Sequence, residues 1–497
     1  MNKINRYAFV VTMAIICFVV GCKKELYKDP IGLIPEEVLN EDPTANVIAS
    51  SVDASYQMLS NTLNLLGQWN WDAGTVFRND LIVNDIASDD LQKKWNPDGD
   101  QAWMDQVDNF SFIATNQAFN GIWAYDYEGI ARTNKAIAYL TNDAGVAKAG
   151  LSSDLKNRSL GESYFLRAYY YMDLVNNFGD VPVVLIPLKK FSDAYEVAKR
   201  VPKAQVWDQI SSDLSKAKGL LPATKYADAT EKWRVSKGAV IALQAKVALY
   251  NEKWAEVITL VNELQALNFY SLNANYFDSF DQTKEFAENE VIFAFDHKSG
   301  TLIRSGNGIC APLDWGFFAP TANFISAFEA NDPRLELTVS VAPKSVNKLL
   351  GTLNGANKGN DDAPNNRIFI RYADVLLWKA EALNETGDYA NAVAIINQIR
   401  TRARTSPTIT GGTAPAGTLP NRPASTDKAQ IKTWLMQERR VELGFESQRF
   451  NDLKRWKMAK PVLTAAGKNF QDKNYLYPIP QGDVDKSAGT IPQNPGY

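Results

Sequence analysis

Two stretches of the chain carry the same pair of helices. In Ile241–Leu264, apolar or small residues recur at Ile241, Ala245, Ala248, Val257, Val261 and Leu264, around Asn251-Glu252-Lys253-Trp254. In Leu376–Ile399 the same offsets carry Leu376, Ala380, Leu383, Ala392, Ile396 and Ile399, around Glu385-Thr386-Gly387-Asp388-Tyr389. Spacings of three and four place these side chains on one face of each helix. A hairpin of this kind cannot bury its apolar face alone, so units built this way must stack. A third helix, Leu160–Asn177, has Ala168 and Tyr171 at corresponding places. Its partner is displaced to Val206–Leu221, beyond an extended insert holding Val181-Pro182-Val183-Val184. A weaker fourth unit lies near Trp123–Leu140.

The pattern resembles the tetratricopeptide repeat: two antiparallel helices, small residues where they cross, an aromatic just after the turn. The proline that closes each repeat is absent, so the units are degenerate. The expected fold is therefore mainly α, a helical-repeat scaffold with long irregular insertions and a few short strands such as Val291–Phe295. The insertions span roughly 67–115, 270–370 and 405–426, the last with four Pro and three Gly. Irregular segments of that length in a globular protein more often serve function than connection. At 497 residues, with 22% charged and 45% hydrophobic side chains, the chain is neither disordered nor fibrous. One histidine, His297, excludes a His-rich metal site and argues against a Ser/His/Asp triad. With 53 basic and 56 acidic residues there is no excess of cations for a nucleic-acid backbone.

The amino terminus reads as a targeting segment. Lys3 and Arg6 precede an uncharged, mostly apolar run, Tyr7 to Val20, of 14 residues, too short for the ~20 a helix needs to span a bilayer. It ends in Val19-Val20-Gly21-Cys22, which resembles a bacterial lipobox with Cys22 as the lipidated residue. Several acyl chains on one cysteine give stable anchoring. Loss of residues 1–21 removes two basic and no acidic residues, leaving 51 against 56 and a net charge of −5. Cys17 leaves with the signal and Cys22 takes lipid, so Cys310 has no intrachain partner and no disulfide framework exists.

Four blocks carry a more specific resemblance. The first is Glu162-Ser163-Tyr164-Phe165-Leu166-Arg167-Ala168-Tyr169-Tyr170-Tyr171, running into Phe178-Gly179-Asp180-Val181-Pro182. The second is Arg371-Tyr372-Ala373-Asp374-Val375-Leu376-Leu377 with Ala380-Glu381-Ala382. The third is Glu438-Arg439-Arg440-Val441-Glu442-Leu443-Gly444-Phe445-Glu446, then Arg449, Phe450, Asp452 and Leu453. The fourth is the tail, Tyr477-Pro478-Ile479-Pro480 and Gln493-Asn494-Pro495-Gly496-Tyr497. In this order behind a lipobox, the chain resembles the SusD/RagB family of Bacteroidetes outer-membrane lipoproteins over essentially its whole mature length. The resemblance implies a signal peptide, 1–21, and one SusD-like domain, 22–497, with an N-terminal part of about 29–220 and a C-terminal part of about 221–497. It implies a lipid-anchored, surface-exposed outer-membrane protein that is not an enzyme. Such a protein captures oligosaccharide and hands it to a SusC-like TonB-dependent barrel transporter. Lys23-Lys24-Glu25 departs from the acidic run that often follows the lipidated cysteine of exported relatives. No cofactor or metal is called for, and no run matches a calcium loop.

The signature blocks themselves read as structure. Around Glu438–Phe450, Glu442, Glu446, Arg439, Arg440 and Arg449 are expected to pair at i, i+3 and i, i+4 spacing and lock a helix. A ligand site is expected elsewhere. Capturing a sugar without chemistry needs an aromatic platform for its C–H face and polar groups for its hydroxyls. Residues 69–123 hold five of the twelve Trp. Trp69 and Trp71 flank Asn70 beside Asp72, and Trp95 sits with Asn96 and Asp98 in a polar, turn-like run that would expose it. Asp314, Trp315 and Phe317 form a second aromatic cluster. Those nine residues, Asn70 apart and Phe317 included, are the candidate contacts. An oligopeptide ligand remains an alternative. A glycoside hydrolase is the poorer one, because the adjacent carboxylates Asp89-Asp90 and Asp361-Asp362 seldom face each other across a bond as that reaction requires.

Overall fold

The computed structural model describes residues 43–67, 71, 74–95, 98–226, 228, 230–340 and 345–497. Cys22, Trp69, Asp72 and Asn96 lie outside the described residues, as does the targeting segment. About 52% of the described residues are helical, as the periodicity requires.

The helices pack in chain order. α1 (Ala45–Gln57) lies on α3 (Ala118–Thr141), α3 on α4 (Ser153–Phe178), α4 on α5 (Lys203–Leu220) and α5 on α6 (Lys237–Tyr250). α6 then packs on α7 (Trp254–Ala266), α7 on α8 (Tyr372–Thr386) and α8 on α9 (Tyr389–Thr405), while α10 (Lys428–Leu443) closes the stack against both α8 and α9. α2 (Ala102–Asn109) and α11 (Arg449–Arg455) sit beside the stack. Both repeat hairpins anticipated from spacing are therefore present, as α6/α7 and α8/α9. α6 is buried from Gly238 to Leu243 and from Ala245 to Leu249, with Lys246 the one charged residue among them, as befits a helix covered on nearly every side. Gly129 in α3 shows why the crossings need small residues: a Cβ there would lie 2.4 Å from the Tyr170 ring of α4. Side chains of Thr44, Ser152, Ser236 and Asp427 cap the helices that follow them, meeting backbone N–H groups that have no partner inside the helix.

Strands are short. β1 (Leu91–Gln92) pairs with β5 (Ala319–Pro320), β2 (Val181–Pro182) with β3 (Arg200–Val201), and β4 (Val291–Phe295) with β6 (Arg367–Arg371), all antiparallel. The Pro-rich segment between α9 and α10 has neither helix nor strand. Among the described residues no helix is long and apolar enough to cross a membrane.

The local pairing expected within Glu438–Phe450 is not what holds that block. Glu442 instead accepts from Arg371 at 2.7 Å, Arg334 at 3.0 Å and Arg402, three side chains distant in sequence. Glu438 meets Arg334 and Arg400, and Glu446 meets Arg371 and Lys348. Arg439 bridges Asp374 and Asp452, while Arg440 and Arg449 both reach Asp89. The reason is burial: Glu438, Arg439 and Glu442 lie on the covered face of α10, where a charge must meet partners from the packed elements rather than solvent. Burial alone would raise the Glu442 carboxyl, but Arg402, Arg371 and Arg334 hold it far below the usual carboxylate range.

Candidate functional site

The ladder between β1 and β5 is only two residues long, with Leu91 opposite Pro320 and Gln92 opposite Ala319. Its position matters more than its length. β1 leads directly into the turn carrying Lys93, Lys94, Trp95 and Asp98, and β5 directly follows the turn carrying Asp314, Trp315 and Phe317. Two loops more than two hundred residues apart are thereby laid side by side. Thr321 tightens the join, its N–H donating to Asp90 O at 2.9 Å and its hydroxyl to Asp89 O at 2.6 Å. The same two aspartates are gripped from beneath by Arg440 and Arg449. The adjacent carboxylates Asp89-Asp90 are thus occupied as a structural anchor.

The aromatic rings meet in one cluster. Trp71 stacks on Phe317 at 5.9 Å with 16° between planes, and lies 6.2 Å from Trp315 at a tilt of 58°. Trp315 and Phe317 stand edge to face at 6.3 Å. A short helix, Cys310–Asp314, ends at Trp315, and the chain reverses through Gly316 at φ +77°, so that Phe317 N–H returns to Pro312 O at 3.0 Å. A Cβ on Gly316 would come within 3.8 Å of Trp95 Cδ1, which places the Trp95 ring against this turn.

Exposure separates the roles. Trp315 is 45% exposed, whereas Phe317 is 4% exposed and forms the floor beneath Trp71, with the Lys94 ammonium 4.4 Å from its ring centre. Trp95, expected to stand free on its polar turn, is instead partly buried, and its Nε1 is covered and has no hydrogen-bond partner among the described residues. Packing against Gly316 is the reason. Phe317 and Trp95 therefore shape the platform from below and beside, and Trp315 with Trp71 presents it.

Charged groups rim the rings. Lys94 pairs with Asp98 and Asp100, Lys93 with Asp105 on α2, and Asp314 lies 3.7 Å from Lys358. The Lys94 hydrogen bond holds the exposed Asp98 carboxyl below its ordinary value. Lys358 belongs to a third loop, docked where Gly359 N–H donates to Cys310 O at 3.0 Å. Nothing in the sequence singled out Lys94 or Lys358, because lysines in polar loops carry no signal of their own. Cys310 is buried and free, and desolvation pushes its thiol well up. His297 is buried away from the rings, bonded through Nδ1 to Ser305 O, and desolvation pulls it down to about 4. Among the described residues no cluster of three or more His, Cys, Asp or Glu is arranged to hold a metal ion.

Comparison with known proteins adds the family. Residues 340–497 match a family model described as "SusD family", and residues 39–249 match one described as "Starch-binding associating with outer membrane". SusD-like protein P2 of Formosa agariphila is 26% identical, the alignment covering 96% of this chain and 97% of that protein. SusD-like protein P25 of the same organism is 24% identical over 97% and 94%. Among solved structures, surface glycan-binding protein A from Bacteroides fluxus superposes with a TM-score of 0.73 at 24% identity, covering 91% of this chain and 100% of that one. A laminarin-binding SusD-like protein superposes with a TM-score of 0.73 at 24% identity, covering 91% and 100%. Surface glycan-binding protein A from Bacteroides thetaiotaomicron, solved with laminarihexaose, superposes with a TM-score of 0.72 at 21% identity, covering 91% and 99%. These superpositions establish the shared fold, and the matched segments fall on the helical stack and on the blocks around Arg371, Glu442 and the carboxyl-terminal tail. The chain belongs to the SusD/RagB family.

Proposed function

We propose that the protein captures glycan on the platform formed by Trp315 and Trp71. The observation that carries this reading is the β1–β5 pairing, which gathers the two aromatic loops and leaves one indole nearly half exposed at their junction. An indole face suits the C–H face of a pyranose, while Asp98, Asp314 and the lysines around them offer hydrogen bonds to its hydroxyls. Trp69 and Asp72 flank Trp71 in sequence and Asn96 follows Trp95, and all three are included as contacts. The laminarin and laminarihexaose named for two structural relatives support carbohydrate as the ligand class. Members of the family bind carbohydrate and are not enzymes.

In this reading Cys22 carries the lipid that holds the protein on the outer membrane, exposed at the cell surface. The bound glycan is passed to a SusC-like TonB-dependent transporter, with the platform facing the barrel and the protein acting as its lid. Support comes from the lipobox, the family and the family description that mentions the outer membrane.

The direct test is calorimetry of Trp315→Ala and of the Trp71→Ala/Trp315→Ala pair with laminarihexaose. Losing an indole that covers a sugar ring costs about 2 kcal/mol, roughly thirtyfold in affinity. An unchanged affinity in the folded double variant removes the platform as the site. Recovery of the protein from outer membranes without a large barrel partner would argue against the transport role, and retention of Cys22→Ala in the membrane fraction would argue against the anchor.

A further inference from the structure

The charges around the aromatic platform are arranged unequally. On one side Lys94 Nζ is the pivot: it lies 4.4 Å from the Phe317 ring centre, pairs with Asp98, and stands 3.4 Å from Asp100. On the other side Asp314, the chain neighbour of Trp315, is 3.7 Å from Lys358. In each pair the cation is the more covered partner. The side chains of Lys93 and Lys94 are 1% and 11% exposed, against 45% for Asp98 and 52% for Asp100. Lys358 is 29% exposed and Asp314 52%. Lys93 is taken up further by Asp105 and by the backbone oxygen of Asp100. Positions 68–70 and 72–73, which flank Trp71 in sequence, and 96–97, which follow Trp95, add Asp72 and no basic residue. Carboxylates therefore outnumber ammonium groups around the rings, and they are the groups turned to solvent.

Packing accounts for this order. A cation is attracted to a ring face, so Lys94 is drawn down onto Phe317 and the carboxylates that pair with it project outward. A glycan settling on Trp315 and Trp71 meets those carboxylate oxygens first. They accept hydrogen bonds from sugar hydroxyls. A carboxylate or sulfate group on the sugar offers only acceptors, faces charges of its own sign, and finds each of these ammonium groups already paired. We propose that the platform takes uncharged, hydroxyl-bearing glycan and excludes glycans that carry carboxylate or sulfate groups, with Asp98, Asp100 and Asp314 setting this specificity. The inference rests on the platform being the glycan site.

The test compares laminarihexaose with the same oligosaccharide oxidised at C6 to carboxylates, by calorimetry on full-length protein in detergent at low ionic strength. The wild type is expected to bind the oxidised form about tenfold more weakly than the neutral one. That ratio should shrink in about 0.5 M salt, which screens exposed charges over a few ångströms. It should shrink also in Asp98→Asn/Asp100→Asn/Asp314→Asn, which keeps the side-chain shapes and removes the charges. Should the triple variant fail to fold, the salt series on the wild type decides. Equal or tighter binding of the oxidised form by the wild type overturns the proposal and leaves the platform as the glycan site. A ratio that neither salt nor the variant reduces overturns it too, because the discrimination is then steric. Binding of neither form removes the platform reading and this inference with it.

Discussion

Two regions use charged and aromatic side chains in opposite ways. Around Glu442, arginines from β6, α9 and the segment before α8 converge on carboxylates that water does not reach. Around Trp315, one indole faces outward over buried rings, and the ion pairs leave Asp98, Asp100 and Asp314 substantially exposed. The first region is unforgiving because removing one partner leaves the others buried and uncompensated. The second tolerates change because solvent replaces a lost partner. Position, more than residue type, separates a structural charge from one free to meet a ligand. The regions are also joined: Arg440 and Arg449, from the inner region, hold Asp89 and Asp90 at the root of β1, and β1 positions the outer one.

That contrast can be broken at its strongest point. Glu442→Gln leaves three guanidinium groups facing a neutral amide and should cost about 3–5 kcal/mol of stability by chemical denaturation. Acid should do the same gradually. Burial raises the Glu442, Glu446 and Asp452 carboxyls, but their cationic partners more than reverse this and hold all three below their ordinary range. The unfolded chain therefore binds protons first as pH falls, so the stabilisation is complete above about pH 4–5 and declines toward the lower folded values. Denaturant midpoints at pH 6, 5, 4 and 3 should fall less steeply in Glu442→Gln than in wild type. An equal slope would mean that this network does not set the acid limit.

Asp89→Asn tests the link between the regions. It weakens the charge-assisted bonds from Arg449 and Arg440 and should cost about 1–3 kcal/mol, together with a measurable loss of laminarihexaose affinity although Asp89 touches no ring. Stability lost with affinity intact would show that the platform holds its shape without the anchor. The smallest effect is expected at the rim. Asp314→Asn removes an exposed pair with Lys358 and should change stability by no more than about 0.5 kcal/mol; a larger shift in the thermal midpoint would show that the third loop is held chiefly by this contact.

Legibility divides along the same line. The hairpins α6/α7 and α8/α9 were readable because a helix face is written in spacings of three and four, and the aromatic zones because indoles in irregular, polar segments stand out. The reading that Glu438–Phe450 is structural holds, but its partners do not follow from it. Rules for neighbouring residues reach one helical turn, whereas Arg440 finds Asp90 across 350 positions. Trp95 and Phe317 show a further limit, since neither their burial nor the close approach of Gly316 leaves a mark in composition.

By itself, the order of residues determined that helical hairpins would form and that they would have to stack, since each exposes an apolar stripe that water disfavours. It also determined which loops hold the rings. Only the tertiary structure decided which rings face outward, because that rests on a two-residue ladder and on buried charges choosing partners from whatever the packed helices bring within reach. Local periodicity carries information about nearest neighbours along the chain, and burial is settled by neighbours in space.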